Sequence, residues 1–307
     1  MIRENPMIVI VGPTAIGKTE LSLVIAEKYG AEIVSVDSMQ VYRYMDIGTA
    51  KPSAEEQARA PHHVIDVADP DEDYSVARFV DDATHAIDSI YRRDKVPLLA
   101  GGTGLYLRGL LEGIFELPEI DRTIRDTLEK RLQEEGRESL YSDLIACDPD
   151  SAARIHPNDT HRMLRALEIY QTTGAGWSDL LAAQKRDKNF SKVLKIGLTC
   201  ERDLLYNRIN KRTGIMMEMG FAEEVQRLLD MGYNGDLNSM QSIGYRHMQN
   251  FLAGEWDRKE TIELLARDTR RFAKRQYTWF NRDPDIRWFD REAHDEISSL
   301  IDNFLHP

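Results

Sequence analysis

The stretch Met7-Ile8-Val9-Ile10-Val11, followed at once by Gly12-Pro13-Thr14-Ala15-Ile16-Gly17-Lys18-Thr19, decides the fold. Five apolar residues in a row suit a strand buried on both faces. The next eight residues fit Gly-x-x-x-x-Gly-Lys-Thr, a turn that glycine permits and that opens a helix. In such a loop the backbone N–H groups and the helix N-terminus converge on phosphate oxygens. Gly12, Thr14, Ala15 and Gly17 are therefore expected to cradle a phosphorylated ligand. Lys18 reaches its terminal phosphates, and the Thr19 hydroxyl is placed to hold Mg²⁺. The competing reading, a glycine turn that merely joins strand to helix, is the weaker one because strand and helix flank the motif as phosphate binding demands.

Outward from this loop, short apolar runs alternate with amphipathic stretches. The pattern predicts helix 18–29, strand 32–36, helix 76–93, strand 96–100 and helix 105–111. Such alternation defines an α/β fold, a parallel sheet wound with helices in the manner of P-loop NTPases. Ligands of these sheets lie at the carboxyl ends of the strands. The loops 12–19, 37–40 and 101–104 should therefore share one crevice. From Pro118 to Asn189 the strand signal disappears and helical patterns follow one another. An apolar strand at 193–198 then resumes the sheet, leading to helices 202–212, 221–231 and 259–280, strand 286–289 and helix 292–305. The reading is a discontinuous core, 1–117 with 190–307, interrupted by a helical insertion domain at 118–189.

With 307 residues and 42% hydrophobic content, the chain can bury a large core. Its only cysteines, Cys147 and Cys200, are far apart, and neither they nor His62-His63 have metal-ligand spacing. No apolar run reaches membrane-spanning length, so a cytoplasmic protein is expected. The formal charge of −12 argues at first against nucleic acid. Charge is nevertheless clustered: Arg267, Arg270, Arg271, Lys274, Arg275 and Arg282 stand among few acids, with Tyr277, Trp279 and Phe280 interleaved. This basic, aromatic helix is a candidate nucleic-acid surface or, more plainly, a solvated face.

Three further elements carry chemistry. Asp37 ends an apolar strand, which aims its carboxylate into the crevice, as a metal ligand, a proton acceptor or simply a cap. Gly101-Gly102-Thr103-Gly104 is a second glycine loop between strand and helix, either an anion site with a hydroxyl at its centre or a close-packing turn. Arg208 and Arg212, four apart on a helix, form a cationic pair that can close over a diphosphate or face solvent.

The runs Gly12–Thr19, Ser35-Val36-Asp37-Ser38-Met39-Gln40-Val41-Tyr42-Arg43 and Met45–Pro52 together resemble the tRNA dimethylallyltransferase (isopentenyl or prenyl transferase) family. The resemblance continues through Gly101–Tyr106, His156-Pro157-Asn158-Asp159, Arg162 with Arg165–Glu168, Ile243–Arg246 and Lys274–Phe280, to about residue 282. It implies transfer of a dimethylallyl group from dimethylallyl diphosphate to N6 of an adenine beside the anticodon of tRNA, with diphosphate released. Allylic C–O cleavage builds negative charge on the diphosphate, which the loop, Lys18, Arg212 and Mg²⁺ at Thr19 would meet. The resemblance assigns Asp37 as general base, with Thr103 beside the reacting base and Arg212 on the diphosphate. It places tRNA contacts at Asp37, Ser38, Met39, Gln40, Thr103, Arg125, His161, Arg162, Arg165, Ser242, Ile243, Gly244, Tyr245, Arg246, Lys274, Arg275, Gln276, Trp279 and Arg282. Two departures stand out. Asn281 occupies the position where the family usually has arginine, and the chain ends at Pro307 without a Cys/His extension, as in the bacterial form. A monomer is expected. The competing expectations are an ATP-dependent P-loop kinase of small molecules or nucleotides, which explains neither the aromatic, basic helix nor the matches within the insertion, and a nucleotide-switched nucleic-acid binder, against which Asp37 beside the diphosphate site argues.

Overall fold

The computed structural model describes residues 3–114, 121–183 and 189–306, which divide into two compact units, Met1–Glu112 with Lys188–Pro307, and Gly113–Asp187. The expected boundary at 117/118 lies outside the described residues, and the expected one at 189/190 stands two residues beyond the break at 187/188.

In the first unit, six parallel strands lie in the order β3-β2-β4-β1-β5-β6: β1 Met7–Val11, β2 Glu32–Val36, β3 His62–His63, β4 Pro97–Gly101, β5 Val193–Thr199 and β6 Arg287–Asp290. Every residue of β1 and β2 is buried, as parallel strands covered on both faces require. Met7, Val9 and Val11 join one core layer, while Ile8 and Ile10 join the other. The register aligns Val11 with Gly101 and Gly197, and Val36 with Gly101. β1, β2 and β4 thus end level while β5 runs two residues further, and the loops that follow emerge side by side.

Helix α1, Lys18–Tyr29, follows the phosphate loop and stops at Gly30, whose left-handed φ of 60° lets its N–H reach the Ala26 carbonyl. The helices α3 (Val76–Arg92) and α4 (Gly104–Glu112) cover one face, where Phe79 stacks on Tyr106 with centroids 4.4 Å apart. On the other face, α14 (His294–Leu305) buries Ile297 and Ile301. Two long helices, α10 (Arg202–Glu218) and α13 (Arg258–Phe280), pack on one another and contribute to both layers.

Helix α10 runs six residues past the expected end at Arg212. Three short elements went unanticipated: α2 (Ala54–Arg59), α12 (Tyr245–Leu252) and the edge strand β3. The His62-His63 pair forms β3, where His63 Nε2 lies 2.7 Å from Glu32, a carboxylate that also takes both ends of the Arg93 guanidinium.

The second unit consists of α5 (Arg122–Glu135), α6 (Arg137–Cys147), α7 (Pro149–Arg154), α8 (Thr160–Thr173) and α9 (Trp177–Ala183), built around Leu128, Leu140, Leu144, Met163 and Leu167. Buried Asp148 accepts from Ser151 N at the start of α7, and from the backbone and hydroxyl of Ser178 in α9. One carboxylate thereby joins two helix starts.

The loop 45–50 is held in the same way. Glu224 of α11 (Phe221–Asp230) is 1% exposed and accepts from Asp46 N, Ile47 N and Gly48 N, and from the Tyr245 hydroxyl at 2.6 Å. A Cβ on Gly48 would sit 2.4 Å from the Phe221 ring, so only glycine lets the loop approach. Glu224→Ala leaves several buried N–H groups without an acceptor and should lower the unfolding free energy by about 3 kcal/mol in urea denaturation. A loss below about 0.5 kcal/mol would mean that the loop hydrogen-bonds elsewhere.

Candidate active site

The phosphate loop leaves β1 through Gly12 at φ +147°, where a Cβ would stand 2.8 Å from the Leu198 carbonyl of the neighbouring strand. It then passes Ala15 at φ +65° and Gly17 at φ +117° before α1 begins. Its carbonyls are taken by cations. Lys18 Nζ donates to Gly12 O and Pro13 O, Arg208 Nε to Ala15 O at 2.7 Å, and Arg291 Nε to Ile16 O at 3.1 Å. Arg212 Nη1 lies 3.3 Å from the Thr14 hydroxyl. Arg208 and Arg212 therefore both turn to the loop rather than to solvent.

The loop borders a polar chamber of about 410 Å³, lined among others by Lys18, Thr19, Asp37, Gln40, Arg208 and Arg212. A second, mainly apolar chamber of about 260 Å³ contains Met39, Thr103, Met216, Phe221, Ile243 and Leu265. Thr14, Ala15, Asp37, Thr49 and Arg212 line both. The two chambers thus meet at one carboxylate and one guanidinium.

Asp37 Oδ1 accepts from Met39 N and Gln40 N, fixing the turn after β2, while its other oxygen takes no hydrogen bond among the described residues. Thr103 Oγ1 accepts from Ser38 N at 3.0 Å, which ties the second glycine loop to the Asp37 turn. Burial pushes the Lys18 ammonium down to about 8; the Asp37 charge opposes this and Arg212 adds to it. Burial likewise lowers Arg212, again against Asp37 and with Arg208. Two desolvated cations share a single nearby carboxylate, an arrangement that favours a polyanion between them. The thiols of Cys147 and Cys200, both raised by burial, take no part.

The glycines of the second loop serve packing. A Cβ on Gly102 would meet Gln276 Nε2 at 2.1 Å, and one on Gly104 the Trp279 ring at 2.1 Å. Gln276 is 5% exposed: its Oε1 accepts from Thr14 N and its Nε2 donates to Gly102 O, bridging the two glycine loops. Tyr245 is equally enclosed, its hydroxyl on Glu224. The side chains of both residues, expected to touch RNA, act here as internal struts. The aromatic side chains interleaved on α13 are buried or half-buried. Phe280 is buried, Tyr277 lies beside the Thr199 hydroxyl, and Trp279 packs under the Arg108 guanidinium.

The remaining expected RNA contacts form two groups. In the first unit Lys274, Arg275 and Arg282 are exposed and make no ion pair among the described residues, whereas Arg246, Arg267 and Arg271 gather around Asp268. Ser242, Ile243 and Gly244 border the apolar chamber, and the buried Ser242 hydroxyl makes no hydrogen bond among the described residues. In the helical unit Arg125 and Arg165 share buried Glu168, Arg162 pairs with Asp159, and His161 is exposed. Sequence reasoning missed the apolar chamber, whose walls come from seven separate stretches of chain, and Arg291, which no motif marks.

The fold and the site define a P-loop-type transferase whose polar chamber opens onto an apolar one. Models of two families match the sequence, isopentenyl transferase over residues 6–64 and IPP transferase over residues 40–283. The tRNA dimethylallyltransferase of Desulfotalea psychrophila is 52% identical across 98% of this chain and 96% of its own length, and that of Thermotoga petrophila 47% across 96% and 98%. The crystal structure of the tRNA isopentenylpyrophosphate transferase of Bacillus halodurans is similar, with a TM-score of 0.72 at 41% identity, covering 98% of this chain and 97% of that one. A eukaryotic dimethylallyltransferase acting on tRNA gives 0.84 at 30% identity, over 98% and 80%. The chain belongs to the tRNA dimethylallyltransferase family of prenyl-transferring enzymes.

The Lys18 environment makes anion binding pH-dependent. The ammonium is charged below about 8, and a bound polyanion raises its pKa by stabilising the charged form. Affinity for inorganic diphosphate should be highest near pH 7 and fall as pH rises above 8, by at most about tenfold per unit, because binding must then recruit a proton. Titrations between pH 7 and 10 should show this slope, and Lys18→Met should bind more weakly and flatten it. An equal slope in the variant would assign the titration to another group.

Proposed function

We propose that the chain transfers a dimethylallyl group from dimethylallyl diphosphate to N6 of an adenine beside the anticodon of tRNA, releasing diphosphate. The observation that carries this reading is the junction of the two chambers at Asp37 and Arg212. One side offers loop N–H groups and cations to a diphosphate, the other a mainly apolar space to an extruded base. As the allylic C1–O bond breaks, its electron pair leaves with the diphosphate, whose growing charge Lys18 and Arg212 meet. The N6 lone pair forms the new bond to C1, N6 becomes acidic, and its proton passes to the uncommitted oxygen of Asp37. Thr103 and Ser38 border the space beside that oxygen and hold the turn in register.

Mg²⁺ suits the residues present. Thr19 borders the polar chamber, and its hydroxyl makes no hydrogen bond among the described residues. At such a site diphosphate oxygens and water would supply most of the remaining ligands. When bound, the ion would neutralise charge on the departing diphosphate.

RNA would be held by Lys274, Arg275 and Arg282, by Arg246 near Asp268, and by Arg125, His161, Arg162 and Arg165 of the helical unit. These groups contact phosphates by charge despite the acidic total. No helix among the described residues is long and apolar enough to cross a membrane, which agrees with a cytoplasmic tRNA-modifying enzyme. We place it there as a monomer.

Incubation with Mg²⁺, unmodified tRNA and either dimethylallyl diphosphate or ATP tests the reaction by mass. A dimethylallyl gain on adenine is expected; phosphoryl transfer from ATP without that gain would support a kinase and sink the reading. Asp37→Asn should lower kcat by about 10² to 10⁴ while tRNA affinity stays near wild type. A variant that loses RNA binding but turns over normally would remove Asp37 from the chemistry. Lys274→Ala and Arg275→Ala should each reduce the slope of log affinity against log salt by about one, and unchanged slopes would take α13 out of the RNA surface.

A further inference from the structure

Arg291 follows β6, outside the residues that either family model matches, yet it reaches the phosphate loop. Its Nε donates to the Ile16 carbonyl, its backbone N–H reaches Thr199 O at the end of β5, and its guanidinium lies 3.7 Å from where a Gly17 Cβ would stand. The side chain is 16% exposed, and its ion-pair partner, Glu292, is 69% exposed and so screened by water. A cation is thus held under the start of α1, where the helix dipole already presents positive charge and Lys18, Arg208 and Arg212 stand nearby. For the empty loop that position is electrostatically unfavourable; for a bound polyanion it is favourable. Neither Arg291 nor Ile16 lines the polar chamber, so the guanidinium reaches the loop from outside it.

We propose that Arg291 is a positioning residue for the phosphate loop: it fixes the Ile16–Gly17 peptide and adds positive potential beneath Gly17, and so sets affinity for the diphosphate of the donor. This rests on the proposed transfer reaction in that the donor is a diphosphate. It assigns the β6–α14 segment a part in substrate binding as well as in completing the sheet.

The test compares wild type, Arg291→Gln and Arg291→Lys as full chains, using inorganic diphosphate with Mg²⁺ as probe, an anticodon stem-loop as control and the ligand-free melting temperature. Arg291→Gln should weaken diphosphate binding and raise KM for the prenyl donor, each by about five- to twentyfold. Stem-loop affinity and kcat should stay within about twofold, and Arg291→Lys should recover a good part of the diphosphate affinity because it restores the charge. Diphosphate affinity within twofold of wild type in Arg291→Gln overturns the inference. So does a parallel fall in melting temperature and stem-loop binding that lysine does not rescue, since that pattern marks a tie of purely structural value. Failure of the wild-type chain to bind diphosphate would instead overturn the donor assignment itself, and this inference with it.

Discussion

Everything at the site depends on keeping several cations together in a place poor in water, with one carboxylate among them. Lys18 and Arg212 are both desolvated, repel one another and look to the same Asp37. Such a set is tolerable because the loop supplies acceptors: its carbonyls receive Lys18, Arg208 and Arg291. Lys18, Arg208 and Arg212 also line the chamber, where an anion can gather the unspent charge. The positive φ angles at Gly12, Ala15 and Gly17 are the backbone's contribution to that arrangement.

The sheet makes the arrangement possible by ending β1, β2 and β4 level, so that loops distant in sequence emerge next to one another. Helix α13 then locks them. Gln276 bridges the two glycine loops through a gap that exists only because Gly102 has no side chain, and Trp279 fills the space left by Gly104. The same helix exposes Lys274 and Arg275 on its outer side. One rigid element therefore presents charge to the exterior and holds the phosphate loop from within.

Much of this was readable from residue order. The phosphate loop, the sheet pattern, the helical insertion and the Asp37 turn follow from local rules, because a buried parallel strand and a glycine-dependent loop leave unmistakable patterns. The short elements β3, α2 and α12 were not readable: at two to eight residues, each is shorter than the window over which periodicity stands out. Tyr277, Trp279 and Phe280 invited a reading as an RNA-facing aromatic surface, but helical spacing does not say which face the core claims, and here the core takes much of it. Arg291 was invisible for a different reason: its role comes from a contact 275 positions along the chain, made by one residue after an edge strand. The apolar chamber likewise has walls from widely separated segments, none of which signals the cavity alone.

The most direct measurement is a crystal structure of the chain with an anticodon stem-loop and a non-cleavable thiodiphosphate analogue of the donor. The two-chamber arrangement predicts the adenine in the apolar chamber, N6 about 3 to 3.5 Å from the allylic C1, and Asp37 within hydrogen-bond reach of N6. An adenine seated outside that chamber, or a diphosphate bound away from Lys18 and Arg212, would contradict it.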